Sequence, residues 1–197
     1  MTDVVGVPKT DRGTWIQTYS GVKLHLQDPL SIEIEPLDIA RGLAFQGRFS
    51  GQTVCFYSVA QHCCAAADYA QERYGGPMAR IMLMHDAPEA YIGDMVRPAK
   101  VLMPDYQRME SALWGAIAMR FALPLEMPPE VKTIDNIMLA REKKALCPNS
   151  DPWPGLPETA EQNHFVVYTP DRAFAEFHKR FVELFPGDHS LVEQPIN

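Results

Sequence analysis

Apolar positions recur along this chain with two different periods, and the change of period divides it. Over residues 14–27, TWIQTYSGVKLHLQ, Trp15, Gln17 and Tyr19 alternate with Ile16 and Thr18, and Val22, Leu24 and Leu26 alternate with Lys23 and His25. A period of two is that of a strand. Ser20–Gly21 between the halves supplies a turn, so the stretch reads as a β-hairpin. From Pro36 onward the spacing becomes helical. Pro36 suits a first helical position and is followed by Leu37, Ala40, Leu43 and Ala44. Ser58 has Gln61 three residues later, the spacing of a capping box, and opens a second helix that Gly75–Gly76 stops after Tyr74. Pro77 opens a third, through Ile81, Leu83 and Met84 to His85 and Asp86, which Pro88 bends or ends. A fourth follows Pro104 to about Phe121, with Leu113, Ala116, Ile117 and Met119 on its apolar face. A fifth follows Pro128–Pro129, with Val131, Ile134, Met138 and Ala145. Thr169 and Pro170 begin the last, which carries Phe174, Phe177, Phe181 and Phe185 on one face. Between these two, residues 147–169 hold Pro148, Pro152, Pro154 and Pro157 and read as a long loop, either a functional lid or an unstructured segment. The pattern predicts an all-α bundle with a small N-terminal hairpin, a single domain over residues 1–197.

Composition changes this picture little. The 197 residues are 46% hydrophobic and 22% charged, as in ordinary globular proteins. With 18 Lys and Arg against 25 Asp and Glu the net charge is −7, which argues against binding a nucleic acid duplex but leaves room for a small anionic substrate. No apolar run is long enough to span a membrane. The opening MTDVVGVPKTDRG lacks the apolar stretch of a secretory signal. Cys55, Cys63, Cys64 and Cys147 form no CxxC pair, and all four read as reduced thiols, with Cys63 and Cys64 buried. A cytoplasmic protein is expected.

Candidate chemistry concentrates in a few ionisable residues set among apolar ones. An apolar helix face leads straight into His85–Asp86 in MLMHDAPEAYIGDMVRPAK, residues 82–100. His62 lies mid-helix among Ala and Cys, where a buried imidazole needs a partner. Asp135 lies in TIDNIMLA, where a buried carboxylate is costly unless paired or ligating. Singly, each has a plainer explanation: His62 a satisfied core residue, Asp135 a partner of Lys132 on an exposed face. Together, on successive helices, they form a set that a bundle core can gather round one ion. Two imidazoles and two carboxylates suit one divalent ion, Mn, Co, Fe, Ni or Zn.

His62, His85–Asp86 and Asp135 match the H…HD…D signature of the HD-domain metal-dependent phosphohydrolases, and the sequence resembles that family over roughly residues 36–146. GRFSGQTVCFYSVAQH, residues 47–62, and HDAPEAYIGDMVRPAK, residues 85–100, resemble the small members that cleave deoxynucleotide phosphates, the bacterial 5′-deoxynucleotidases and the phage dATP triphosphohydrolases. The resemblance implies an HD-domain helical bundle whose metal ligands are His62, His85, Asp86 and Asp135. It implies that Glu89, three residues after the metal Asp, is a catalytic group that orients or deprotonates the attacking water, and that Asp94 assists the leaving group or positions the nucleophile. Arg48 matches the family's Arg-aromatic pair ahead of the first metal His. Phosphate requires cations, and Lys100, or Arg97 in its place, and Lys132, one turn before Asp135, are further candidates. Phe49 and Pro98 match positions that pack near the sugar and disfavour a 2′-hydroxyl.

The implied function is divalent-metal-dependent hydrolysis of a small-molecule deoxynucleotide, with mono- and triphosphate both open and a homo-oligomer expected. An alarmone-type pyrophosphohydrolase ranks lower, because Ala90 stands where those relatives carry a second acid after Glu89. Two-metal cyclic-dinucleotide hydrolases carry additional ligands and a GYP element that are not evident here. A non-catalytic nucleotide-binding HD module is the remaining alternative, although such members usually lose a ligand and this chain keeps all four.

Overall fold

A computed structural model describes residues 6–147, 151–158 and 166–187. Helices dominate: α1 Pro36–Ala44, α2 Val59–Tyr74, α3 Gly76–Met84, α4 Glu89–Ile92, α5 Arg97–Lys100, α6 Pro104–Phe121, α7 Pro129–Leu146 and α8 Pro170–Leu184. Strands β1 Lys9–Thr10, β2 Gly13–Gln17 and β3 Lys23–His25 form one antiparallel sheet in the order β1-β2-β3. The expected hairpin is present, with Trp15 opposite His25 and Ile16 opposite Leu24. The third strand was not expected, because two exposed residues, Lys9 and Thr10, carry no alternation to read.

Local chemistry explains most boundaries. The Ser58 hydroxyl accepts from the Gln61 amide at 3.1 Å and caps α2. The box is not closed, however. The Gln61 side chain turns instead to the 166–168 strand of chain, bonding the Val166 carbonyl and accepting from Tyr168 N at 3.1 Å. Gly75, at φ 85°, ends α2 in a conformation that an L side chain rarely adopts. Thr169 caps α8 by accepting from Arg172 N. Along the helices Phe177, Phe181 and Phe185 are buried as the spacing predicts, while Phe174 is half-buried against His178. Met119 and Ala145 differ from expectation and face outward. His25, expected outside, is buried because Thr10 (2.9 Å) and Glu33 (3.1 Å) satisfy its ring.

One continuous core runs from Leu24 and Ile34 through α1, α2 and α3 to the phenylalanines of α8. Helix α2 lies in its middle, against α1, α3, α7 and α8. The hairpin turn is fastened to this core by buried Asp38, which accepts from Ser20 N at 2.6 Å and from its hydroxyl at 2.7 Å. Helix α1 meets α4 across Gly42, where an added Cβ would stand 2.5 Å from the Ala90 carbonyl oxygen. Only glycine allows that approach, and α4, which begins at Glu89, is set by it. Among the described residues no helix is long and apolar enough to cross a membrane. The four cysteines are unbridged, with Cys63 and Cys64 buried.

Candidate metal centre

Helix α2 presents His62 from the core, fully buried. Helix α3 ends at Met84, so His85 and Asp86 begin the turn that follows rather than continuing the helix. Asp135 comes from the second turn of α7. Donor atoms of His62, His85 and Asp135 lie within 4.8 Å of one another, and Asp86 adjoins both histidines. His62 Nε2 lies 3.3 Å from His85 Nε2, and 3.5 Å from both an Asp86 and an Asp135 oxygen. His85 Nε2 lies 3.4 Å from the same Asp86 oxygen. Donors round an ion at ~2.1 Å stand about 3.0 to 3.4 Å apart, so these separations suit ligation.

The outer ring nitrogens decide which atoms face inward. His85 Nδ1 lies 2.7 Å from the Met82 carbonyl, which can only accept, so Nδ1 carries the proton. His62 Nδ1 lies 2.6 Å from Glu142, a buried carboxylate that likewise accepts. Each ring therefore turns its Nε2 toward the same 3.3 Å gap, the side from which a cation would be bound. Burial and the Arg48 charge oppose a charged His62, but Glu142 and Asp135 outweigh them and raise its pKa to about 9. Burial likewise opposes the Asp135 anion, yet bonding to His62 and the nearby cationic groups hold that carboxyl well below its usual range.

The support of this cluster was only partly foreseen. Glu142 was missed. It holds His62 with one oxygen and lies 3.0 Å from Arg48 Nε with the other. It lies seven residues after Asp135, nearly two helical turns, on the same face of α7, which was the available signal. Arg48, buried, also reaches Asp86 at 3.4 Å. Its position is fixed by a Gly47–Ser58 bridge and by Arg48 N donating to Tyr57 O at 2.9 Å. Phe49 and Ser50 follow at φ 57° and 52°, two consecutive left-handed residues without glycine, a costly conformation of the kind found at functional sites. Gln46, also missed, ties both ends of the 89–94 turn: it donates to the Glu89 carbonyl and accepts from Asp94 N, each at 2.9 Å. A buried Cys63 thiol, a His85 nitrogen and an Asp86 oxygen lie within 4.8 Å of one another, a further place for a metal that the sequence did not suggest.

Beside the cluster opens a cleft of about 450 Å³, lined by Arg48, Phe49, Asp86, Glu89, Asp94, Arg97, Pro98, Lys100 and Asp135 among others. Glu89 is buried, with its Oε2 lacking a hydrogen-bond partner and its Oε1 4.0 Å from Lys100 Nζ. Burial, then Asp86 and Asp94, push its carboxyl well up. Asp94 is raised too, by burial and Asp86, against the pull of Arg48. Lys100 also pairs with Glu110. Arg97 grips Asp135 Oδ2 and donates to Asn136 at 2.8 Å, so in this structure it orients a cluster carboxylate. Lys132 is exposed and lies outside the cleft lining, although its spacing puts it on the same side of the helix as Asp135. Within the 147–169 segment, Trp153, Pro154 and Leu156 line the cleft. Pro148 and residues 159–165 lie outside the described residues.

No family profile matches the chain. The uncharacterized protein YfdR of Escherichia coli is 36% identical over 175 residues, covering 87% of this chain and 96% of its own length. An uncharacterized protein of Rhodobacter capsulatus is 40% identical over 124 residues, covering 60% of this chain and 63% of its own.

Proposed function

The chain belongs to the family of the Escherichia coli protein YfdR, and we propose that it is a divalent-metal-dependent phosphohydrolase of the HD type acting on deoxynucleotides. The observation that carries this reading is the pair of Nε2 atoms 3.3 Å apart, each on a ring whose other nitrogen is engaged, with Asp86 and Asp135 oxygens beside them. His62, His85, Asp86 and Asp135 would hold the ion. A divalent ion held there supplies a Lewis acid for a phosphoryl group and lowers the pKa of a water.

The chain's own residues supply the rest. Arg48, a forked donor, and Lys100, a point charge, bind phosphoryl oxygens at the cleft wall. Glu89 has an unpartnered oxygen, and burial makes its carboxylate a stronger base than an exposed one, so it orients a water and takes its proton. Asp94, also raised, gives a proton to the leaving oxygen. Phe49 and Pro98 flank the sugar.

The test is turnover. Purified protein with Mn²⁺ or Co²⁺ is expected to release phosphate or tripolyphosphate from one or more deoxynucleotides. Asp86→Ala is expected to bring release below detection. Unchanged release in that variant, or none from the parent with any deoxynucleotide and either metal, overturns the reading.

A further inference from the structure

The cleft is chemically lopsided. Its charged end holds Arg48, Glu89 and Lys100 beside the histidine–aspartate cluster. Its lining also has an apolar part, to which two aromatic rings contribute. Trp153, 39% exposed, stands with its ring centroid 6.1 Å from that of Phe49, tilted by 57°. Lys143 Nζ lies 5.4 Å over the indole, and Pro154 and Leu156 extend the same wall. A ring sandwiched between two others needs two contact distances of ~3.5–4.0 Å, about 7 Å between parallel planes. The Phe49–Trp153 pair is closer than that and tilted, so it offers a wall and not a slot.

We infer that Trp153 is a specificity-determining residue, the platform on which the flat aromatic part of a phosphate-bearing substrate lies while its phosphate occupies the charged end. This deepens the reading above and rests on it for the position of the phosphate. It assigns to that reading the surface that meets the base, and with it a preference for a phosphate ester carrying a nucleobase over an aliphatic one. One side of the indole packs on Phe49, and its open part lines the same cleft as Arg48 and Glu89.

Binding separates this inference from the catalytic reading. Affinities of the Mn²⁺-loaded protein for the non-hydrolysable phosphonate analogues of 2′-deoxyadenosine monophosphate and of glycerol phosphate are measured by equilibrium dialysis, for the parent, Trp153→Ala and Trp153→Phe. Stacking of a base on an aromatic ring predicts a loss of roughly five- to a hundredfold for the nucleotide in Trp153→Ala. The phenyl ring of Trp153→Phe is expected to restore most of it. The glycerol phosphate analogue is expected to bind all three proteins alike, and unchanged circular dichroism shows that the fold is kept. Equal nucleotide affinity in parent and Trp153→Ala, an equal loss for the glycerol phosphate analogue, or no nucleotide binding by the parent overturns the inference. Failure of the catalytic reading would show differently, as no metal-dependent phosphate release from a protein that still binds the nucleotide through Trp153.

Discussion

Two cavities of nearly equal size open among the described residues, and they differ in what their polar groups have left to do. The first is the cleft of about 450 Å³ beside the histidine–aspartate cluster. The second, about 470 Å³, is lined by Gln61, Asp68, Tyr69, Arg73, Arg141 and Arg180 with Glu142 at its margin. In the second, charges answer one another. Arg180 donates to both Asp68 oxygens at 2.9 and 2.7 Å and to Glu176 at 2.9 Å. Arg73 and Arg141 lie over the Tyr69 ring, and the Gln61 amide bonds the backbone at 166 and 168. In the first, Glu89 keeps an unpartnered buried oxygen and two imidazole nitrogens stand 3.3 Å apart. Volume does not distinguish a site from a gap in packing. Unsatisfied polar capacity does, because a buried group without a partner is costly and persists only where something else uses it.

That contrast can be tested at Glu142, which lines the second cavity yet bonds His62 of the cluster beside the first. Glu142→Gln keeps the volume but removes the charge that faces His62 and Arg48. Groups that orient a metal-ligating histidine typically contribute 10–100-fold to metal affinity, and a loss in roughly that range is expected, read by competition with a chelator. The same change across the second cavity, Asp68→Asn, is expected to leave metal affinity unmoved and to cost under about 1 kcal/mol in urea unfolding. Equal effects from the two variants would erase the distinction between the cavities.

An effect on turnover and not on metal content is expected from Gly42→Ala. Its Cβ would stand 2.5 Å from the Ala90 carbonyl, backbone that cannot simply rotate away. Overpacking of this kind costs about 1–3 kcal/mol. Because α4 carries Glu89 while the cluster ligands come from elsewhere, the account expects kcat to fall with metal content retained. Loss of metal with activity in proportion would mean that the glycine serves the core as a whole.

How much of this was legible in the sequence follows from where its signals lie. Helices α1, α2, α3, α6, α7 and α8 announce themselves through prolines at first turns, through Ser58 and Thr169 at caps, and through 3.6-residue spacing. The short helices α4 and α5 carry too few residues for any period. His62, His85, Asp86 and Asp135 stood out as polar residues in apolar runs; the structure gathers His62, His85 and Asp135, with Asp86 beside both histidines. Glu142 did not stand out, because it sits in the charged stretch REKK, where a carboxylate looks solvated, although its register with Asp135 placed it inward. Gln46 and Trp153 act through tertiary contacts that no local pattern encodes, Trp153 from a proline-rich stretch with no period. Lys132 shows the converse: nearness in sequence to Asp135 did not bring it to the cleft.

The most direct test is to locate the ion itself. Crystals of the protein grown with Mn²⁺ and measured near the manganese absorption edge are expected to show one anomalous peak per chain, in contact with His62 Nε2, His85 Nε2 and oxygens of Asp86 and Asp135. A map with no peak at that point under saturating Mn²⁺, or with the peak in the cavity lined by Arg180 and Asp68, would contradict the account.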